Sequence, residues 1–197
     1  SRGVCERRVK MSQLTKVALE TSLKNLLLKK PLDKITISDI TDECGISRMT
    51  FYYHFKDIYD LIEWSCIEEA TKALDGKKTY STWQQGFLQI FEAVLDNKPL
   101  ILNVYHSVSR ELVEIYLYKL TYDLLIGVVN EKAAGMSIRS EDKKFIADFY
   151  KYAFVGLMLE WIRDGMTGDP QLIIDRLSLL MQGNLTSALN ACRTDRA

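Results

Sequence analysis

Apolar side chains return every three or four positions from Ser12 to Lys29, at Leu14, Ala18, Leu19, Leu23, Leu26 and Leu27, the repeat of a helix with one buried face. Pro31 ends that helix. Thr36 stands three residues before Asp39 and just ahead of Ile37, Ile40 and Cys44, a capping-box arrangement that satisfies orphan N–H groups at a helix start. Gly45 is placed to close this short helix in the left-handed conformation. Ser47 can cap a helix opening at Arg48, and Asp57, with Asp60 three positions on, can cap a longer one to about Leu74.

The remaining residues obey the same period. Ser81 and Gln84 form an S-x-x-Q box before Phe87, Leu88, Phe91, Val94 and Leu95; Pro99 permits a new start near Leu100; Ser109 can cap a stretch to about Ala134. Gly135, Ser137 and Ser140 read as a loop. Ser140, Glu141 and Asp142 open a helix to Asp164, the acids suiting the positive end of its dipole. Gly165 and Gly168 end it, and Asp169-Pro170 starts a last helix to about Ala191. No repeat or alternating strand pattern interrupts the series. The expectation is an all-α chain of about nine helices.

Composition narrows the class. Three Pro and 10 Gly against 10 Tyr, 7 Phe and 3 Trp fit long uninterrupted helices, and a 47% apolar content excludes a disordered chain. Basic and acidic residues balance at 26 each, so a uniformly basic nucleic-acid coat is excluded. The balance hides a small split: residues 1–60 carry 11 Lys/Arg against 8 Asp/Glu, and residues 61–197 carry 15 against 18. Cys5, Cys44, Cys66 and Cys192 lie far apart, with no C-x-x-C pair and no secretory segment, which argues for a reducing, cytoplasmic setting without disulfides or zinc. The longest apolar run, Tyr152 to Leu159, is far short of the roughly 20 residues of a membrane span. Residues 1–11, with Arg2, Arg7, Arg8 and Lys10, lack periodicity and read equally as a disordered basic arm, an appended remnant, or a stretch before a start at Met11.

The stretch from Thr36 to Lys56 carries the chemistry. Two short helices joined by Gly45-Ile46 have helix-turn-helix dimensions. At about 100° per residue, Phe51 and Phe55 share one side of the second helix and, with Ile40 and Ile46, can bury against the first helix of the chain. Met49 and Tyr53 then fall on the opposite side, flanked by Arg48 and Tyr52 and by Thr50 and His54. A helix fits the roughly 12 Å width of the DNA major groove. Arg48 supplies a guanidinium fork for guanine, Met49 an apolar contact for a thymine methyl, and Thr50, Tyr52, His54 and Lys56 donors for phosphates.

Thr36, Ile40, Cys44-Gly45-Ile46-Ser47, Thr50, Phe51-Tyr52-Tyr53-His54-Phe55 and Leu61 resemble the amino-terminal domain of the tetracycline-repressor (TetR) family over about residues 12–65. The resemblance implies a homodimer with a three-helix DNA-binding head over 12–57 and a ligand-binding and dimerisation body over 58–197, its last two helices pairing across the dimer axis. It implies DNA contacts at Thr36, Ser47, Arg48, Met49, Thr50, Tyr52, Tyr53, His54 and Lys56. One departure is Ile58, where the family usually has a Lys. The string with Asp57, Ile58, Tyr59 and Trp64 is similar to a subgroup of activators that work with a protein co-activator.

Enzyme chemistry finds little footing. The two histidines, His54 and His106, are about fifty positions apart, and no H-E-x-x-H, phosphate loop or nucleophile elbow occurs. No cofactor or metal is expected. A small-molecule effector, if one binds, would meet Tyr105, His106, Tyr122 and Tyr152. Phe154, Leu157, Met158 and Trp161, with Leu177, Leu180 and Met181, form stripes suited to a dimer interface beside Gly156, and burial within the chain is the competing use. A helical module that docks a protein through the Met49/Tyr53 face is the alternative function.

Overall fold

The computed structural model describes residues 2–74, 81–107 and 110–195. Among them are ten α-helices, one short 3-10 helix and no strand. In order these are α1 (Arg2–Leu27), η1 (Leu32–Lys34), α2 (Ile37–Cys44), α3 (Arg48–His54), α4 (Ile58–Ala73) and α5 (Trp83–Asp96). They are followed by α6 (Lys98–Tyr105), α7 (Arg110–Lys132), α8 (Ser140–Arg163), α9 (Pro170–Met181) and α10 (Asn184–Ala191). The chain divides into two compact units, Ser1–Glu68 with Lys98–Leu112, and Glu69–Asn97 with Val113–Ala197. The first unit therefore takes in most of α4 and all of α6, beyond the boundary expected at residue 57.

Several local signals act as expected. Thr36 accepts from the Asp39 N–H at 3.1 Å while Asp39 accepts from the Thr36 N–H at 2.7 Å, completing the capping box of α2. Gly45 closes that helix at φ +67°, a conformation that costs a glycine little. Ser47 accepts from the Thr50 N–H, Asp57 from that of Asp60, and Asp169 from that of Gln171. Other boundaries differ. The backbone of α1 is helical from Arg2 rather than Ser12, so residues 2–11, for which a disordered arm is one of three readings of the sequence, continue the helix. Ser81 does not cap α5; Thr82 holds that place without a side-chain bond, and the Gln84 amide donates instead to the Ser178 hydroxyl on α9 at 3.3 Å. Ser109, expected to cap α7, lies outside the described residues. The expected last helix breaks at Gly183, φ +83°, which yields the tenth helix.

In the first unit Leu19, Leu23 and Leu27 of α1 pack with Ile40, Phe51, Phe55, Leu61 and Ile62, all buried. Each such side chain contributes about 1.5–3 kcal/mol by leaving water. Polar ties fix the register: Ser22 donates to the Ile40 carbonyl at 2.7 Å, and Ser65 of α4 donates to the buried Glu20 of α1.

The second unit is built on aromatics. Phe87 and Trp83 of α5 meet Phe154 of α8 at ring centroid distances of 4.6 and 5.6 Å, and Phe91 meets Trp161 at 4.9 Å. The Trp161 indole also donates to the Gly168 carbonyl at 2.8 Å. This corrects the expected dimer stripe. Phe154, Met158, Trp161, Leu177 and Met181 are buried within their own protomer, because their side of α8 and α9 faces the α5 aromatics. Leu157 and Leu180 are the exposed members of that set.

Candidate nucleic-acid interface

Helix α3 is a two-sided element. Phe51 and Phe55 are buried at 0% and 3% exposure, whereas Met49 and Tyr53 stand at 83% and 82% and Tyr52 at 52%. Ser47, Arg48 and Lys56 are exposed as well, and Thr50 and His54 half-buried. The short helix is thus turned by two inward phenylalanines, and the side opposite them projects into solvent. Ile40 is fully buried behind it, and Ile46 partly so.

The polar groups of this face are ordered by their neighbours. The Ser47 and Thr50 hydroxyls lie 2.8 Å apart at the amino end of α3. The Tyr53 and His54 rings meet edge to face at 5.0 Å, and Tyr52 meets Phe51 in the same way at 5.8 Å. Burial, and then the nearby Lys16 ammonium, push the His54 imidazole below its ordinary value, so it is a neutral hydrogen-bonding group at pH 7. At the start of α2, the Thr36 hydroxyl is held by Asp39, whose carboxylate accepts from Lys30 at 2.8 Å. Lys30 foremost, then the Thr36 backbone and hydroxyl, hold the Asp39 carboxyl down to about 2. Neither Lys30 nor Lys16 was legible as part of this region, since each reaches it from α1 or its trailing loop.

Comparison with known proteins fits this geometry. Residues 23–63 match the family described as bacterial regulatory proteins, tetR family, and residues 81–183 match a transcriptional regulator C-terminal region. The chain belongs to the TetR family of transcriptional regulators. It is 26% identical to the HTH-type transcriptional regulator YerO of Bacillus subtilis, over 91% of this chain and 68% of that protein. It is 23% identical to DhaS of Lactococcus lactis, described as an activator of the dhaKLM operon, over 80% of this chain and 84% of that one. Among solved structures, a dihydroxyacetone kinase operon activator DhaS superposes with a TM-score of 0.69 at 19% identity, covering 91% of this chain and 98% of that one. A tetR-family regulator from Streptomyces coelicolor superposes at 0.60 and 15% identity, covering 91% and 90%. These likenesses show an all-α TetR fold.

As a TetR-family regulator the protein binds DNA, and effector control is typical of its family. The four residues expected to meet an effector divide between the two units. Tyr105 and His106 lie at the end of α6 in the first unit, Tyr105 buried under the Arg110 guanidinium and His106 exposed beside it. Tyr122 and Tyr152 belong to the second unit, where they and Tyr118 surround the Lys151 ammonium at 5.6, 4.5 and 5.6 Å, and Lys151 pairs with Asp148 at 2.7 Å. Among the described residues no group of His, Cys, Asp and Glu could hold a metal ion, and no helix is long and apolar enough to cross a membrane.

Proposed function

We propose that the protein is a homodimeric regulator that lays α3 in the major groove of a palindromic operator. The observation that carries this reading is the sidedness of α3, whose exposed Met49, Tyr52 and Tyr53 leave one face of the helix free to enter a groove roughly 12 Å wide. Arg48 would fork onto a guanine and Met49 pack on a thymine methyl; Thr36, Ser47, Thr50, Tyr52, Tyr53, His54 and Lys56 would hold the backbone on either wall.

The dimer would form through the faces of α8 and α9 that the protomer leaves bare. Phe145, Phe149 and Tyr152 are exposed at 74%, 64% and 59% and follow one helical line that continues to Gly156, where an added Cβ would meet nothing within 4 Å. Leu172, Leu179 and Leu180 supply the corresponding patch on α9. An isologous pairing of these helices would bring two copies of α3 to one operator. A small-molecule effector, or a protein co-activator, would then act by favouring one of two spacings of those copies.

Selection of bound duplexes from a random library tests the reading. Arg48→Ala is expected to cost about 1–3 kcal/mol on the selected operator and little on scrambled DNA, and Tyr52→Phe to weaken all sequences alike. Equal loss for Arg48→Ala on both duplexes moves that residue to the phosphate class. Failure of the wild-type protein to retain any duplex at low salt overturns the reading.

A further inference from the structure

We propose that Lys16, in the middle of α1, is a backbone-phosphate contact at the far end of α3, resting on the reading of α3 as the groove-binding helix. Its ammonium lies 5.7 Å from the Phe55 ring centre and 5.5 Å from that of Trp64, so one side chain from α1 is pinned over the residue that caps α3 and the second turn of α4. The Phe55 ring that it overlies is 6.4 Å from the His54 ring, and the His54 imidazole value is lowered by burial first and by the Lys16 charge second. No carboxylate partners Lys16 among the described residues, in contrast to Lys24, Lys30 and Lys151, which bond to Glu20, Asp39 and Asp148.

Two physical arguments keep this charge available to an anion. Aromatic faces attract an ammonium without neutralising it, so a lysine held by two rings still has N–H donors to offer an anion. A lysine normally loses much rotamer freedom when it grips an anion; the Phe55 and Trp64 rings have already restricted this one. The local charge count favours a basic side chain at this place. The α3–α4 junction through the second turn of α4 carries Lys56 against Asp57, Asp60 and Glu63, with His54 neutral, a net of minus two that repels a phosphate wall. The α4 helix opens on the uncharged Ile58. Lys16 halves that negative charge at the place where the strand backbone would pass.

The test is the salt dependence of operator binding by the full chain, read by fluorescence anisotropy between about 50 and 300 mM salt. Lys16→Met is expected to lower the slope of log affinity against log salt by about one per protomer bound, and to weaken operator and scrambled duplex by the same factor. Lys16→Arg is expected to keep the wild-type slope. Active concentration is set by stoichiometric titration well below the melting temperature, so partial unfolding of Lys16→Met does not mask the result. A wild-type slope in Lys16→Met, or a lowered slope in Lys16→Arg, overturns the proposal while leaving the DNA-binding reading intact. A wild-type protein whose duplex binding ignores salt overturns both.

Discussion

Ser22 of α1 donates its hydroxyl to the carbonyl of Ile40 in α2 at 2.7 Å, with both residues buried. The bond ties the scaffold helix to the helix that precedes α3, so the orientation of α3 depends on it. Ser22→Ala is expected to cost about 1–2 kcal/mol, read by urea denaturation, because it removes the bond and leaves a buried carbonyl less satisfied. Its effect on the affinity for any duplex would be uniform, since it moves the frame and not a base contact.

Phe51 and Tyr53 sit two positions apart on α3 and do opposite work. Phe51→Ala is expected to destabilise the protein by about 3–5 kcal/mol through lost burial and a residual cavity, since Phe51 is fully buried. Tyr53→Ala, at 82% exposure, is expected to leave the melting temperature nearly unchanged and to weaken duplex binding. Thermal melts and anisotropy titrations on the two variants separate the roles; equal loss of stability would mean the face is not free.

The bare line on α8 gives a prediction about assembly. Phe149→Glu is expected to shift the protein from dimer to monomer in sedimentation experiments without changing its helical content, because Phe149 is exposed in the protomer. Phe154→Ala, by contrast, should lower stability, since Phe154 packs between Trp83 and Phe87. A dimer unaffected by Phe149→Glu would place the interface elsewhere.

His54 gives the protein an acid-sensitive term. Its folded value lies below the ordinary 6.5 through burial first and Lys16 second. The unfolded chain therefore binds the proton more readily, and stability is expected to fall as pH drops through the unfolded value toward the folded one. Replacing His54 by Gln should flatten the slope of denaturation free energy as pH falls from about 7 through 6.5. Lys16→Met should raise the imidazole value, measured by NMR titration, yet leave it below 6.5 because burial remains.

Thr121 in α7 is fully buried, and its hydroxyl has no hydrogen-bond partner among the described residues. An unsatisfied hydroxyl in a core opposes folding, so Thr121→Val is expected to be neutral or to stabilise by about 1 kcal/mol in thermal melts. A clear loss of stability would reveal a partner for that oxygen.

What was legible in the sequence was local. The three-to-four-residue period, the Thr36/Asp39 box, Gly45, the caps at Ser47, Asp57 and Asp169, and the inward pair Phe51 and Phe55 each depend on neighbours within one or two helical turns, and the fold honours them. The sidedness of α3 follows from those two phenylalanines alone. Tertiary structure decided the rest, because it depends on which helix lies across from which. Periodicity marks an apolar face without saying what covers it, so the stripe of Phe154, Met158 and Trp161 reads equally as interface or core until the α5 aromatics are placed against it. The same holds for Lys16, whose position over Phe55 and Trp64 joins residues about forty positions apart that no spacing rule connects. Short-range geometry is encoded in adjacent residues; partnership between distant faces is settled only when the whole chain buries its apolar surface at once.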